Sequence, residues 1–327
     1  MRAVKILAVL AASPVLGGCL AFHTGAMPGE PEGARFLAIE GARVRYLDEG
    51  EGSPVVMIHG FASSLETWAP VIPELRVRHR VLAMDLKGFG WTDRPPGDYS
   101  PEAQARLVLA LMDERGIDRA AFVAHSYGAS VVLAIALIAP ERVSRIAIYD
   151  GWVYSSQLPT FFHMARADGL GEAMFAIWYG ERSEDRIALA FHDRSFVTQE
   201  LVDDVERAMR RPGTHAAALA AVRAMRYESQ EARYHEIEQP ALLLWGREDI
   251  VTPVGVGERL ARDLPGARLV VYPACGHFPM IEHARQSTRE LMRFLADEPQ
   301  ATSPVPEPVP APVPGSALSE PEEPEAP

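Results

Sequence analysis

The chain of 327 residues lacks most of the residue patterns that hold cofactors. It has two cysteines, Cys19 and Cys275. Two cannot build the disulfide framework of a small secreted scaffold or the clustered thiolates of a structural zinc site. Lysine occurs only at Lys5 and Lys87, and no basic cluster interrupts a formal net charge of −12. That balance argues against nucleic acid as a partner. No apolar run reaches the length of about 20 residues that a helix needs to cross a bilayer. The patterns G-x-G-x-x-G, G-x-x-x-x-G-K-S/T and H-E-x-x-H are missing, and His235-Glu236 lacks a second histidine. No dinucleotide, phosphate or metal site is therefore expected, and no cofactor.

The two ends read differently from the middle. Met1-Arg2-Ala3-Val4-Lys5 is positive, Ile6 to Leu16 is apolar, and Leu16-Gly17-Gly18-Cys19 follows. A charged start, a short apolar run and small residues predict a secretory signal over residues 1–18. At the other end, residues 298–327 are mostly Pro, Ala, Val and Glu with no basic residue. Such a stretch buries too little apolar surface to offset its chain entropy, so a disordered tail is expected.

Between the ends, strands alternate with helices. Phe36–Ile39 and Arg43–Leu47 flank Glu40-Gly41-Ala42 and predict a hairpin. Apolar runs at 54–58, 81–84, 119–124 and 145–149 predict strands buried on both faces. Ser63, three before Glu66, predicts a helix from there to about Leu75. Ser100-Pro101-Glu102 predicts another helix start. From about 152 to 239 the pattern turns helical, with Thr198 opening one helix and Thr214 another. Alternation resumes with strands at 241–245 and 268–272, a helix near 254–264 and a last helix from about 280 to 296. The fold class is therefore α/β: a mostly parallel central sheet with helices on both faces and a helical segment inserted after the sixth strand. The divisions are 34–151 and 240–297 for the sheet-bearing parts, 152–239 for the insertion, and 19–33 for a loose spacer.

The organising stretch is Phe122-Val123-Ala124-His125-Ser126-Tyr127-Gly128-Ala129-Ser130. It reads as strand, sharp turn, helix, with Ser126 pushed out at the turn and small flanks at Ala124 and Gly128. This resembles the nucleophile turn of the α/β-hydrolase family, with Ala124 where the usual G-x-S-x-G has glycine. The resemblance extends over roughly Phe36 to Leu295. It implies the chain order nucleophile, acid, histidine, which Gly246-Arg247-Glu248-Asp249 and Gly276-His277-Phe278-Pro279 satisfy. Ser126, Asp249 and His277 are the expected catalytic residues. Asp150, at the end of the preceding strand, is the alternative acid. The backbone N–H groups of Phe61 and Tyr127 are the expected oxyanion donors. His59 is expected to fix its loop, Asp85 and Asp93 to be structural, Trp91 to line the pocket and Glu248 to be solvated. The insertion then corresponds to the family's cap, and its aromatic residues Phe161, Phe162, Phe175, Trp178, Tyr179, Phe191 and Phe196 divide between cap packing and an apolar roof over Ser126.

The resemblance implies a serine hydrolase, needing no cofactor and no metal, that cleaves an ester or related acyl bond of a small, partly apolar molecule through an acyl-enzyme. Alternatives on the same triad are a carbon–carbon bond hydrolase and a cofactor-free haloperoxidase-like enzyme. A non-catalytic surface binding protein is the alternative from another class. The Gly-Gly-Cys end of the signal separately resembles the bacterial lipoprotein signal. That implies cleavage before Cys19, lipidation of its thiol and a membrane partner through the anchor. With Leu20 after the cysteine, the expected location in a Gram-negative cell is the outer membrane, facing the periplasm. An ordinary signal peptide is the competing reading. Cys275 is expected to be a free, buried, apolar residue.

Overall fold

The computed structural model describes residues 20–177 and 183–296. Cys19, the signal, the tail 298–327, Trp178 and Tyr179 lie outside the described residues. Eight strands form one sheet: β1 (Arg35–Ile39), β2 (Ala42–Glu49), β3 (Ser53–Ile58), β4 (His79–Met84), β5 (Ala120–His125), β6 (Val143–Tyr149), β7 (Ala241–Gly246) and β8 (Ala267–Tyr272). Their spatial order is β1-β2-β4-β3-β5-β6-β7-β8. The β1/β2 and β2/β4 pairs are antiparallel, and the rest are parallel. The β1–β2 hairpin closes through Glu40 and Gly41, both at positive φ (48° and 76°). A two-residue turn with this hand matches the twist of the strands it joins.

Alternate residues of the central strands serve opposite faces. Val56, Ile58, Phe122, Ala124, Ile146 and Ile148 belong to one apolar layer. Their neighbours Val55, Met57, Val123, Ala147 and Tyr149 belong to the other. Both layers are covered by helices, so β3, β5 and β6 read as unbroken apolar runs. The helices outside the insertion are α1 (Ile72–Leu75), α2 (Pro101–Glu114) and α3 (Gly128–Ile138), then α10 (Val254–Asp263), α11 (Pro279–Glu282) and α12 (Ala284–Leu295). Ser100 caps α2, its hydroxyl accepting from Ala103 N at 3.2 Å. Between β6 and β7 come α4 (Thr160–Ala165), α5 (Leu170–Ile177), α6 (Ser183–Ala190), α7 (Gln199–Met209), α8 (Thr214–Ala224) and α9 (Glu228–Glu231). Of these, α4, α5 and α8 pack together, and α6 lies on α7. Thr198 caps α7 as its sequence suggests, accepting from Leu201 N.

Three expectations need correction. The helix read from Ser63 is a 3-10 turn at Leu65–Trp68 followed by the short α1. Ser63 spends its hydroxyl on Thr67 (2.6 Å), and Glu66 leaves for Arg45 (2.6 Å), so no capping box forms. The last helix is broken at His283, which divides α11 from α12. The segment 20–33 is not a loose spacer. His23 exchanges backbone hydrogen bonds with Arg94 (2.9 and 2.7 Å), Gly25 N donates to Asp93 and Glu30 pairs with Arg43. Met27 is buried, and Leu20 packs against the core.

Candidate functional site

Ser126 follows β5 directly and precedes α3. Its φ is +50°, a left-handed conformation that a non-glycine residue adopts only when its surroundings hold it there. They do: Ser126 N donates to Tyr149 O (3.0 Å), and Ser126 O accepts from Trp152 N (2.9 Å). The small flank at Gly128 is required, since a Cβ there would stand 2.6 Å from the carbonyl oxygens of both Ile58 and His59. The neighbouring loop comes equally close: a Cβ on Gly60 would lie 3.1 Å from Ser126 Cβ. That loop carries Phe61, whose ring packs against Tyr127 (6.4 Å between centroids) and Phe89 (5.3 Å). Tyr127 stands at the N-terminal end of α3, where backbone N–H groups have no partner within the helix. The two expected oxyanion donors therefore sit on the two loops that meet at Ser126.

His277 and Asp249 come from the loops after β8 and β7. His277 Nδ1–H donates to Asp249 Oδ2 at 2.7 Å, which leaves Nε2 as the free acceptor. The imidazole lies beside the nucleophile turn, its centroid 4.7 Å from that of His125. Ser126 Oγ makes no hydrogen bond to it among the described residues; such contacts commonly tighten only with substrate present. Asp249 is held on both oxygens. Oδ1 accepts from Val251 N (2.7 Å) and Thr252 N (3.0 Å), and Oδ2 accepts from the Thr252 hydroxyl (2.6 Å). Burial acts to raise this carboxyl, but the facing His277 and the Thr252 hydrogen bonds outweigh it and hold it below the ordinary range.

Asp150, the alternative acid, is wholly buried in the same cluster, its carboxyl, that of Asp249 and the His277 ring nitrogen all lying within 4.8 Å. Its Oδ1 accepts from Gly246 N (2.9 Å), while Oδ2 has no hydrogen-bond partner among the described residues. Burial, then the adjacent Asp249 charge, push its pKa well above the ordinary carboxylate range. These three side chains are also close enough to share a cation, but an ion there would have to take Nδ1 from Asp249.

The supporting residues behave as read from the sequence, with two exceptions. His59 is neutral through burial. It fixes its loop by donating to Gly60 O (2.7 Å) and accepting from Leu86 N (3.0 Å). Asp85 is buried and accepts from Leu65 N and Trp91 N. Asp93 accepts from Gly25 N and Arg43 N. Trp91 instead carries the Arg211 guanidinium on its face, 3.6 Å from the ring centroid. Glu248 is exposed as expected, yet its carboxylate also accepts from Cys275 N (3.0 Å). Cys275 is free and buried.

Phe162 stacks on Trp152 (5.5 Å between centroids, 7°), whose backbone N–H donates to Ser126 O, and packs against Phe61 (5.5 Å). Phe161 turns to Phe175 inside the insertion. Phe191 stacks on Phe278 (4.8 Å), which in turn packs on His125 (4.9 Å). Sequence reasoning missed His125, Trp152 and Thr252. His125 carried a usable signal, since the residue before the serine must pack under whatever loop brings the histidine.

The fold and this arrangement define a hydrolase. The profile of the family described as alpha/beta hydrolase fold matches residues 53–284, and the chain belongs to that family. It is 32% identical over 278 residues to the 2-hydroxy-6-oxo-2,4-heptadienoate hydrolase of Pseudomonas putida, covering 81% of this chain and 96% of the relative. Among solved structures it is similar to the meta-cleavage product hydrolase from Pseudomonas fluorescens IP01, complexed with acetates. That match has a TM-score of 0.69 and 26% identity, and covers 80% of this chain and 97% of the other. A thermophilic esterase from Thermogutta terrifontis superposes with a TM-score of 0.68 at 25% identity, covering 80% and 97%.

Proposed function

We propose that the chain is a serine hydrolase that cleaves the carbon–carbon bond next to a ketone in a 2-hydroxy-6-oxo-dienoate. The observation that carries this reading is the alignment of the chain with a hydrolase named for such a compound, at 32% identity over 96% of that relative's length. It displaces ester cleavage, the reaction expected first from the sequence.

In this reading His277 Nε2 takes the Ser126 proton and Ser126 Oγ adds to the ketone carbon. The oxyanion meets the N–H groups of Phe61 and Tyr127, each contributing about 3 kcal/mol. Collapse breaks the carbon–carbon bond. Before collapse the substrate takes its 2,6-dioxo-enoate form, the 2-hydroxyl losing a proton and the carbon next to the ketone gaining one. The departing carbanion is then delocalised onto the 2-oxo group as a dienolate and takes the proton from the His277 imidazolium. Water then adds to the acyl-Ser126 ester, with His277 again as base, and releases the carboxylate. The net change is addition of one water. Asp249, ionised and hydrogen-bonded to Nδ1, orients the imidazole and stabilises its charged form.

Carboxylester hydrolysis is the second reading. The Trp152–Phe162 stack against Phe61 favours it, because an apolar acyl group gains about 0.8 kcal/mol per buried methylene on such a surface. The decisive experiment offers purified protein a 2-hydroxy-6-oxo-dienoate and a p-nitrophenyl ester series in parallel. Cleavage of the dienoate, lost in Ser126→Ala, supports the first reading. Turnover confined to the esters supports the second.

We also propose that the chain is exported and anchored through a lipidated Cys19. The Leu16-Gly17-Gly18-Cys19 pattern supports this. Because Leu20 already packs on the core, such an anchor would hold the domain close to the lipid surface rather than on a flexible tether.

A further inference from the structure

The loop that carries His277 is fastened to the inserted helices as well as to the sheet. His277 N donates to Ala190 O, the last residue of α6, at 2.7 Å. Glu282, at the end of α11, bridges the same two segments with one carboxylate. Its Oε1 accepts from Gly276 N, directly before the histidine, at 2.7 Å. Its Oε2 accepts from His192 N (2.9 Å) and Asp193 N (3.0 Å), directly after α6. The approach is tight: a Cβ on Gly276 would stand 2.5 Å from Ala190 O and 2.7 Å from His192 N. Beside this bridge Phe191 stacks on Phe278, and Phe278 packs on both His125 and His277.

A carboxylate is the side chain this junction needs. Three N–H groups converge on it from two segments, and only a group with acceptors on both ends and no donor can receive them all. An amide offers one oxygen, so either Gly276 N or the 192–193 pair would face its NH2 group. We propose that Glu282 is a positioning residue that locks the cap segment 190–193 to the His277 loop, so that the placement of the cap and the aim of the imidazole at Ser126 are set together. Glu282 touches neither Ser126 nor the triad hydrogen bond; it acts through Gly276 and Ala190. Misplacement of a catalytic group by about 1 Å costs on the order of 100-fold in rate.

The test is the reaction of Ser126 with a fluorophosphonate, which reads the serine–histidine pair whichever bond the enzyme cleaves. Failure of the dienoate reading would thus leave this experiment intact. Glu282→Gln should lower the maximal labelling rate about 100-fold with little change in the half-saturating probe concentration, in protein that melts as a folded domain. Asp193→Pro removes one N–H from the cap side and should lower the same rate, whereas Asp193→Ala, which keeps that N–H, should not. The two effects should be non-additive in the double variant, as expected of groups acting through one junction. A Glu282→Gln rate within about twofold of wild type, or effects that simply add, overturns the proposal. If Glu282→Gln does not fold, Asp193→Pro decides: a folded variant labelled at the wild-type rate overturns it, and a slowed one supports it.

Discussion

Asp150 and Asp249 face the same imidazole from the ends of adjacent strands, yet only Asp249 hydrogen-bonds it, at 2.7 Å. Their surroundings divide the roles. Asp249 receives hydrogen bonds on both oxygens, which with His277 hold its pKa down, whereas Asp150 receives one from Gly246 N and has its pKa pushed up by burial and by Asp249. An asparagine imitates a neutral carboxyl but not a carboxylate. Asp249→Asn should therefore lower kcat by about 10⁴, as the equivalent change does in a serine protease. Asp150→Asn should stay within about tenfold of wild type, a loss below 1.4 kcal/mol. Steady-state kinetics of the two variants checks the ranking, and the reverse order would transfer the acid role to Asp150.

The raised pKa of Asp150 has a consequence for stability. The folded-state pKa of Asp150 lies above its unfolded value of about 3.9, so the native state binds more protons than the unfolded one. The stability tied to this proton is present below about pH 3.9 and is lost as pH rises toward the folded value, by at most about 1.4 kcal/mol per pH unit. Asp150→Asn should remove that loss. Its advantage over wild type in denaturant unfolding should be small near pH 4 and grow toward pH 8. A constant difference across that range would contradict the assignment.

At Gly128, backbone sterics leave no room for a side chain. A Cβ 2.6 Å from two carbonyl oxygens can be relieved only by moving β3 or α3. Gly128→Ala should lose activity together with several kcal/mol of stability, read as a lowered denaturant midpoint. Gly255→Ala, on α10 with nothing within 4 Å of the added methyl, serves as the control and should be neutral or slightly stabilising.

Among the described aromatic residues of the insertion, Phe162 stacks on Trp152 and packs against Phe61. Phe162→Ala should weaken kcat/KM for substrates with a larger apolar acyl group and leave the smallest nearly unchanged. Phe175→Ala, packed inside the insertion, should cost about 3–5 kcal/mol of stability. Equal selectivity loss in both variants would mean that Phe162 does not line the site.

Cys19 lipidation is checked by mass spectrometry of the mature N-terminus. The expected result is a diacylated or triacylated peptide beginning at Cys19; an unmodified cysteine or a start elsewhere would refute it.

Most of the sheet and the chain order of Ser126, Asp249 and His277 were legible in the sequence, because both rest on local signals. Buried parallel strands must be apolar on both faces, and a serine at a strand–helix turn needs small flanks. Most of the misread parts depend on partners that the local pattern does not reveal. Ser63 and Glu66 have capping-box spacing, but Thr67 and Arg45 offer them better hydrogen bonds. The segment 20–33 has the composition of a spacer, and only the fold supplies Asp93, Arg94 and Arg43 to hold it. Thr252 and Glu282 were invisible for the same reason: each acts through backbone or carboxylate groups that tertiary structure brings to it.

The central claim is that Ser126 is the activated nucleophile. Its most direct measurement is the intact mass of the protein after incubation with a fluorophosphonate, followed by peptide mapping. The account predicts one adduct, located on Ser126, absent in Ser126→Ala and much slower to form in His277→Ala. No adduct on the wild-type protein, or one on another residue that survives in Ser126→Ala, would contradict it.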